Sequence, residues 1–215
     1  MKYIVANWKA NKNLDETKLW LETFAKNYQD KENVVVLIAP PLPFLGIVLD
    51  YVKSLKNLYV CAQDLSEFDE GSYTGEVTAK SLQGLIDYVI LGHSERRKYF
   101  NETDEIIAKK IEAAHKYQLK TILCVRSTED KLVEGVELVA YEPVEAIGTG
   151  ENAPLENVLL IRGSLGLSDS VKFLYGGSVT DQNVSQYLAS DQIDGLLIGG
   201  ASLDPERLTR IISQV

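Results

Sequence analysis

The sequence predicts an α/β protein built from repeated strand–helix units, and three observations support this prediction. Short runs rich in Val, Ile, Leu and Tyr recur eight times along the 215 residues. Most of these runs are apolar at nearly every position, which is typical of parallel strands buried on both faces. Amphipathic segments with helical spacing separate most of them. Eight such units fit a closed (β/α)8 barrel or an open doubly wound sheet, and the count does not distinguish the two.

The predicted strands are spaced so that every unit except one has room for a helix. The strands are predicted at residues 3–7, 34–39, 58–62, 88–92, 121–125, 136–142, 172–176 and 195–200. Residues 126–135 alone connect the fifth strand to the sixth, whereas a parallel crossover with its helix normally takes about a dozen residues or more. We therefore expect the fifth helix to be one or two turns long, or missing.

The helical segments carry recognisable start signals. Segment 103–117 has apolar residues on one side of a helix among charged ones, namely Ile106, Ile107, Ile111 and Ala114. A Thr-Asp pair at 180–181 precedes a helix that we expect to end near residue 189. An Asp-Pro pair at 204–205 opens the last helix, which we expect to end at residue 215.

Composition predicts one ordinary globular domain spanning residues 1–215. Hydrophobic residues make up 45% and charged residues 25% of the chain, and no apolar run approaches the roughly 18 to 20 residues that cross a bilayer. The first residues lead directly into a strand without a secretory signal, which predicts a cytoplasmic protein. Cys61 and Cys124 lie in apolar strands and are expected to be buried, reduced thiols.

Charge and histidine content exclude several kinds of partner and cofactor. The formal net charge of −9 argues against nucleic acid and anionic membranes, both of which need a basic face. The chain has only two histidines, and no Cys or His pair has metal-ligand spacing, so no metal site is predicted. An anionic substrate could still bind through backbone amides and a few lysines.

Polar groups follow several predicted strands, and a barrel would bring them together because all its strands end on one face. These groups are Asn7 with Lys9, His93 with Ser94 and Glu95, Glu142, and the glycine pairs at 176–177 and 199–200. Each has an ordinary explanation when taken singly: a solvated lysine, a structural histidine, a carboxylate before a turn, or tight turns. These alternatives weaken only when all the groups must be explained together.

Seven motifs give the chain a recognisable signature. They are NWK at 7–9, GE at 75–76, LGHSERR at 91–97, AYEP at 140–143, AIGTG at 146–150, YGGS at 175–178 and GGASL at 199–203. In content and order they resemble the triosephosphate isomerase family over nearly the whole chain, and the GHSERR and YEP…AIGTG runs are highly specific. The resemblance implies a (β/α)8 TIM barrel. It also implies a metal-independent interconversion of dihydroxyacetone phosphate and D-glyceraldehyde 3-phosphate in glycolysis and gluconeogenesis, through an enediolate and without a cofactor.

The resemblance also implies roles for individual residues. Glu142 matches the family's base and His93 the electrophile that polarises and protonates the substrate oxygens. Lys9 would hold the developing negative charge, Asn7 would add a hydrogen bond, and Glu95 would orient its neighbours or assist proton transfer. This set supplies the carboxylate base, the donor and the fixed positive charge that removal of a proton beside a carbonyl requires.

Further residues match the phosphate site and the closing lid of the family. The substrate phosphate would bind backbone amides at Gly148, Ser178, Gly199 and Gly200. Segment 143–153 resembles the lid, which excludes water from the enediolate. Tyr175 and Ser178 match residues that latch the closed lid, whereas Ile147 and Leu197 match the apolar pair that presses on the base.

Segment 64–78 resembles the family's long third loop, which inserts into a partner subunit. Thr74 would then support Asn7 and His93 of the other chain, so the resemblance predicts a homodimer, with a tetramer as the alternative.

The chain also departs from the family pattern. Family members usually have about 250 residues, and most of the shortfall is expected between the fifth and sixth strands. Arg126-Ser127 replaces a usual Gly-Glu pair there, and Glu145 stands where many members have tryptophan. The change between the fifth and sixth strands does not touch the expected base, acid or phosphate loops. Glu145 lies in the first hinge of the lid, where it could alter the lid kinetics, and we expect activity to survive.

Two other functions are compatible with a barrel of this kind: a sugar-phosphate epimerase and a binding scaffold without catalytic activity. A sugar-phosphate epimerase on a similar barrel typically needs metal-binding His and Asp residues, and this chain has only His93 and His115. A barrel that is kept as a binding scaffold after losing turnover is the non-enzymatic alternative. The intact set Asn7, Lys9, His93 and Glu142 argues against it.

Overall fold

A computed structural model describes residues 1–143 and 152–215. Its eight strands form one closed barrel, in which each strand pairs in parallel with the next and β8 pairs with β1. The strands are β1 Lys2–Asn7, β2 Val34–Ala39, β3 Leu58–Ala62, β4 Tyr88–Leu91, β5 Lys120–Val125, β6 Leu138–Tyr141, β7 Lys172–Tyr175 and β8 Gly195–Ile198. All eight predicted strands are confirmed to within two residues at either end. The chain forms the closed barrel and not the open sheet.

Eight α-helices occur within the described residues. They are α1 Leu14–Asn27, α2 Leu45–Val52, α3 Ala79–Leu82, α4 Ser94–Tyr99, α5 Asp104–Lys116, α6 Leu155–Ser164, α7 Val184–Leu188 and α8 Pro205–Ser213. A short 3-10 helix, Gly200–Leu203, precedes α8. The predicted helix at 103–117 is confirmed as α5, for which the Thr103 side chain accepts a hydrogen bond from Ile106 N–H at the N-terminus.

Two helix boundaries differ from the predicted ones. Helix α7 begins at Val184, three residues beyond the Thr-Asp signal, because Asn183 Oδ1 accepts the Thr180 N–H at 2.8 Å and folds this segment into a turn. Helix α8 ends at Ser213 instead of residue 215. Its predicted start is correct, since Asp204 Oδ1 accepts the N–H groups of Glu206 and Arg207.

The continuous apolar strands have one core on each face. In β2, Val35 and Leu37 belong to the core inside the barrel, whereas Val36 and Ile38 belong to the core between the sheet and the helices. Side chains alternate between the two faces of a strand, so a strand buried on both faces needs apolar residues at every position. Both cysteines are buried and free, as predicted.

The crossover between β5 and β6 contains no helix, which confirms the expectation from spacing. An ion pair fastens this connection instead: the carboxylate of Asp130 accepts hydrogen bonds from Arg126 N–H at 2.6 Å and from Arg126 Nη2 at 2.6 Å. Val136 is buried, and Leu132 and Val133 pack against the outer core. These side chains partly cover the barrel wall where a helix is lacking.

Within residues 1–143 and 152–215, no helix combines the length and the apolar character that crossing a membrane requires.

Candidate active site

Most of the residues predicted at the strand ends line one cavity of about 300 Å³, whereas Ser94, Glu95 and Gly177 are not part of its wall. Its wall includes Asn7, Lys9, His93, Glu142, Ser178, Gly199 and Gly200. These residues follow β1, β4, β6, β7 and β8, so the barrel brings together groups that are far apart in sequence. The predicted convergence at the carboxyl ends of the strands is confirmed.

Glu142, directly after β6, is the most buried carboxylate at this cavity, with 2% of the residue exposed. Its Oε1 lies 2.9 Å from His93 Nε2, and its Oε2 accepts the Ser94 N–H at 2.9 Å. Burial raises the pKa of Glu142, but its interaction with His93, the hydrogen bond from Ser94 N–H and the charge of Lys9 outweigh burial and hold the pKa below its ordinary value. Both carboxylate oxygens therefore have a donor.

The tautomer of His93 follows from its position as the N-cap of α4. Its Nδ1 accepts the Glu95 N–H at 3.2 Å, so Nδ1 carries no proton and Nε2 is the donor toward Glu142. An imidazolium would place a second N–H against the N–H of Glu95. The geometry thus favours a neutral ring whose Nε2–H points toward the base, and it confirms that a helix begins at Ser94.

Lys9 is held in an unusual backbone conformation, with φ at +53°. The Asn7 Oδ1 accepts the Lys9 N–H at 2.9 Å, and the Gln63 side chain donates to the Lys9 carbonyl at 2.9 Å. Strained backbone of this kind in a residue other than Gly, Asn or Asp occurs mainly at functional sites. Lys9 Nζ forms an ion pair with Glu95 Oε1 at 2.5 Å, so Glu95 orients the ammonium.

Two glycines leave space for the side chains of this cavity. A Cβ on Gly176 would lie 3.1 Å from Glu142 Cγ, and a Cβ on Gly199 would lie 3.3 Å from Lys9 Cε. Both separations are shorter than ordinary carbon–carbon contacts. The absence of a side chain at each glycine therefore allows the present positions of Glu142 and Lys9.

Part of the cavity wall is formed by the loops after β7 and β8. Ser178 has a positive φ of +43°, and Gly199 and Gly200 lie at the start of the 3-10 helix. The N–H groups in the first turn of a helix have no carbonyl partner within it and can bind an anion. Gly148, the fourth predicted phosphate contact, lies outside the described residues.

Ala153, the last residue of the lid-like segment 143–153, contacts two tyrosines. Ala153 N–H donates to Tyr175 Oη at 2.9 Å, and Tyr187 Oη–H donates to Ala153 O at 2.6 Å. Leu197 is buried and lines the cavity. Ile147 and Glu145 lie outside the described residues.

Thr74 does not line the cavity of its own chain. It is exposed on the loop between β3 and α3, where Phe68 and Tyr73 stack on each other with ring centroids 4.3 Å apart. Its predicted role in supporting a partner's site stays a prediction.

Sequence reasoning missed two residues at this site. Gln63 follows β3 directly, so the rule applied to the other strand ends would have found it. Arg207 lies in the first turn of α8 and lines the cavity, but an arginine in an amphipathic helix gives no such signal. Across the described ranges, no group of three or more His, Cys, Asp or Glu is placed to hold a metal ion.

Comparison with known proteins agrees with this geometry. The sequence model of the family described as triosephosphate isomerase matches residues 2–215. Proteins named triosephosphate isomerase from Mesomycoplasma hyopneumoniae (strain 232) and Dictyoglomus thermophilum are 39% and 37% identical to this chain, and each alignment covers 98% of both sequences. The protein of that name from Synechococcus sp. (strain JA-3-3Ab) is 38% identical over 98% of this chain and 93% of its own length.

The alignment with the Mesomycoplasma protein spans 242 positions, which exceeds the 215 residues of this chain, so the chain lacks residues that this relative has. The family model nevertheless matches residues 2–215, and the alignments with these relatives cover nearly the whole chain. The chain therefore belongs to the triosephosphate isomerase family, whose members are isomerases that interconvert triose phosphates.

Proposed function

We propose that this chain interconverts dihydroxyacetone phosphate and D-glyceraldehyde 3-phosphate with Glu142 as the base and His93 as the acid. The observation that carries the proposal is the 2.9 Å contact between Glu142 Oε1 and His93 Nε2, two buried groups at the cavity that also contains Lys9. A base and a donor this close can act on neighbouring atoms of one small substrate.

In this mechanism, Glu142 removes a proton from C1 of dihydroxyacetone phosphate, and the C1–H electron pair moves into a C1–C2 double bond. The carbonyl oxygen gains negative charge, which His93 Nε2–H and the ammonium of Lys9 stabilise. His93 gives its Nε2 proton to O2 and takes the hydroxyl proton of O1 in exchange, and the protonated Glu142 then returns a proton to C2. The carbon skeleton and the phosphate are unchanged, so the step is an isomerisation.

The carboxylate must first lose part of its present hydrogen bonding. Its two oxygens are bound to His93 Nε2–H and Ser94 N–H, and these contacts help lower its pKa. A substrate oxygen that accepts the His93 hydrogen would free Oε1, and the loss of that donor in a buried site would raise the proton affinity of Glu142. Gly176 presents no side chain that would oppose a shift of the carboxylate.

The phosphate would bind in the loops after β7 and β8, at the amides of Ser178, Gly199 and Gly200 together with Gly148. The support is the position of the first three in the cavity wall, and this region is the recurrent phosphate site of such barrels. Glu95 acts as a positioning residue, because its carboxylate holds Lys9 Nζ and its N–H holds His93 Nδ1.

The test is conversion of D-glyceraldehyde 3-phosphate by purified protein in deuterium oxide with a chelator present. We expect rapid conversion and deuterium in the product, because the abstracted proton exchanges with solvent on the carboxylate. Glu142→Asp withdraws the base by one methylene and should lower kcat by about 10²-fold, the cost of misplacing a reacting group by about 1 Å.

Glu137→Asp is the matched control, since Glu137 lies just before the same strand at the other end of the barrel. It should leave kcat unchanged. Conversion that requires an added divalent metal, or equal rates for wild type and Glu142→Asp, would refute the proposed mechanism.

We further propose a homodimer, with a tetramer as the alternative. The support is the exposed loop that carries Thr74 and the stacked pair Phe68 and Tyr73, which are 41% and 45% exposed. Thr74→Arg should give a monomer with reduced kcat in light scattering and rate assays, whereas Ser164→Arg on α6 should change neither. A fully active monomer would exclude a partner's contribution to the site.

We also propose that the chain acts in the cytoplasm, because glycolysis there produces and consumes both triose phosphates. Cell fractionation with antibody detection would test the location.

A further inference from the structure

Arg207 is a cation on the wall of the proposed phosphate end of the cavity. It follows the 3-10 helix Gly200–Leu203, and its side chain reaches Asp181, which lies in the same loop as Ser178. The Nε of Arg207 donates to Asp181 Oδ1 at 2.7 Å. The arginine therefore joins the two loops that would hold the phosphate.

Ion pairing distinguishes Arg207 from the other cation that lines the cavity. Lys9 Nζ is paired with Glu95 at 2.5 Å, and Glu142 adds another negative charge to the same wall. The carboxylate of Asp181 is shared by Arg207 and by Arg210, whose Nε lies 3.2 Å from Oδ2. Because Asp181 is shared between two guanidinium groups, it neutralises Arg207 only in part, and of the two arginines Arg207 is the one that lines the cavity.

The guanidinium of Arg207 also retains hydrogen-bonding capacity. Among the described residues, its Nε is the atom that forms a side-chain hydrogen bond, which leaves the two NH2 groups for water or a ligand. A guanidinium recognises phosphate through paired N–H donors, and its charge makes each bond stronger than a neutral one. Fixing Nε on Asp181 limits the conformations that the side chain must lose when it binds.

We propose that Arg207 is a binding residue for the substrate phosphate: it attracts the dianion and holds its outer oxygens beside the amides of Ser178, Gly199 and Gly200. This inference rests on the proposed function, since it assigns a further residue to the phosphate end of the same site. A net charge of −9 on the chain makes a local cation useful, because the rest of the surface repels a dianionic substrate on average.

Arg210 provides the matched control. It pairs with the same carboxylate on the same helix but is not among the residues that line the cavity. If Arg207 only tied the loop after β7 to α8, removing either arginine would have similar effects.

The experiment compares Arg207→Gln, Arg207→Lys and Arg210→Gln by kcat and KM for D-glyceraldehyde 3-phosphate, and by the inhibition constant of inorganic phosphate. Arg207→Gln should raise KM and the phosphate inhibition constant by about tenfold at low salt, with kcat nearly unchanged, because it removes a charge-assisted contact made equally in the ground and transition states. The increase should shrink in high salt, where the Debye length falls to about 3 Å. Arg207→Lys should restore part of the affinity.

Arg210→Gln should leave both constants close to those of wild type. Equal increases in the two Gln variants, or an unchanged KM in Arg207→Gln, would overturn the inference. Calorimetric titration of each variant with inorganic phosphate separates this result from the proposed function. A wild type that binds phosphate through Arg207 but does not isomerise the triose would refute the function and leave the binding site standing.

Discussion

The two histidines of this protein each lie beside a glutamate, and the two pairs occupy opposite ends of β6. Glu142 follows the strand and lies 2.9 Å from His93 Nε2, whereas Glu137 precedes it and lies 3.8 Å from His115 Nε2. Each glutamate also accepts a backbone N–H, Glu142 from Ser94 and Glu137 from Thr121. Both ends of β6 thus carry a glutamate that lies beside a histidine and accepts a backbone N–H.

Their surroundings differ. The Glu137 side chain is 40% exposed, and its Oε2 accepts hydrogen bonds from both the N–H and the hydroxyl of buried Thr121. Its role is therefore to pair polar groups at the start of β5. Glu142 is almost completely buried against a cavity that also contains Lys9. Burial and an adjacent cavity, more than the pairing of Glu with His, thus distinguish the proposed reactive end of this barrel from its other end.

The largest expected effect is that of Glu142→Gln, which removes the base while keeping its shape. We expect kcat to fall by about 10⁴-fold, the upper end of the roughly 10²- to 10⁴-fold that a positioned general base contributes. Glu137→Gln should keep full kcat under the same assay. A similar loss in both variants would show that the two glutamates are not functionally distinct.

His93→Gln should have the next largest effect. A glutamine can still donate a hydrogen bond but cannot transfer a proton, so we expect kcat to fall by about 10²-fold. His115→Gln should change kcat little, because His115 lies on α5 at the other end of the barrel. Steady-state kinetics of both variants measures the contrast, and a large loss in His115→Gln would contradict it.

Glu137→Ala should affect stability instead of rate. It leaves the N–H of buried Thr121 without its acceptor, while the Thr121 hydroxyl keeps His115 Nε2 at 3.2 Å, and the unpaired N–H costs about 1 to 3 kcal/mol of unfolding free energy. At about 2 to 4 °C per kcal/mol for a chain of this size, Tm should drop by several degrees. Thermal unfolding measures the shift, and an unchanged Tm would mean that water replaces the carboxylate at no cost.

The smallest effect concerns the pH dependence of stability. The folded pKa of Glu142 lies below its ordinary value of 4.5, so its ionised form stabilises the native state above that pH. This contribution is lost as pH falls below 4.5 through the folded pKa. The difference in unfolding free energy between wild type and Glu142→Gln should therefore change between pH 6 and pH 3, to the disadvantage of wild type at low pH. Urea unfolding at several pH values tests this, and a constant difference would contradict it.

Much of the fold could be predicted from the sequence, because local patterns determine it. Continuous apolar runs indicated the eight strands, and the short segment 126–135 indicated the absent helix. Barrel closure required the motifs, since strand count alone also fits an open sheet. The start of α7 was wrong because the Asn183 side chain turns the chain after Thr180, an interaction that a Thr-Asp signal does not contain.

The sequence predicted which residue types form the site better than it predicted which of their side chains contact each other. The polar residues Asn7, Lys9, His93 and Glu142 followed from strand ends, but the pairing of Lys9 with Glu95 depends on the conformations of two side chains that are distant in sequence. The position of Arg207 depends on Asp181 in another loop for the same reason.

The helix-free crossover also affects how the barrel can assemble. Ile122 of β5 pairs with Leu138 of β6, and their separation along the chain is about half that between Tyr3 of β1 and Val35 of β2. The chain entropy lost on closing a loop grows with the logarithm of its length, by about 0.6 kcal/mol for each doubling. Of the strand pairs between consecutive strands, β5 and β6 thus lose the least chain entropy on meeting. This part of the wall, whose connection contains no helix, is where parallel pairing can begin most readily.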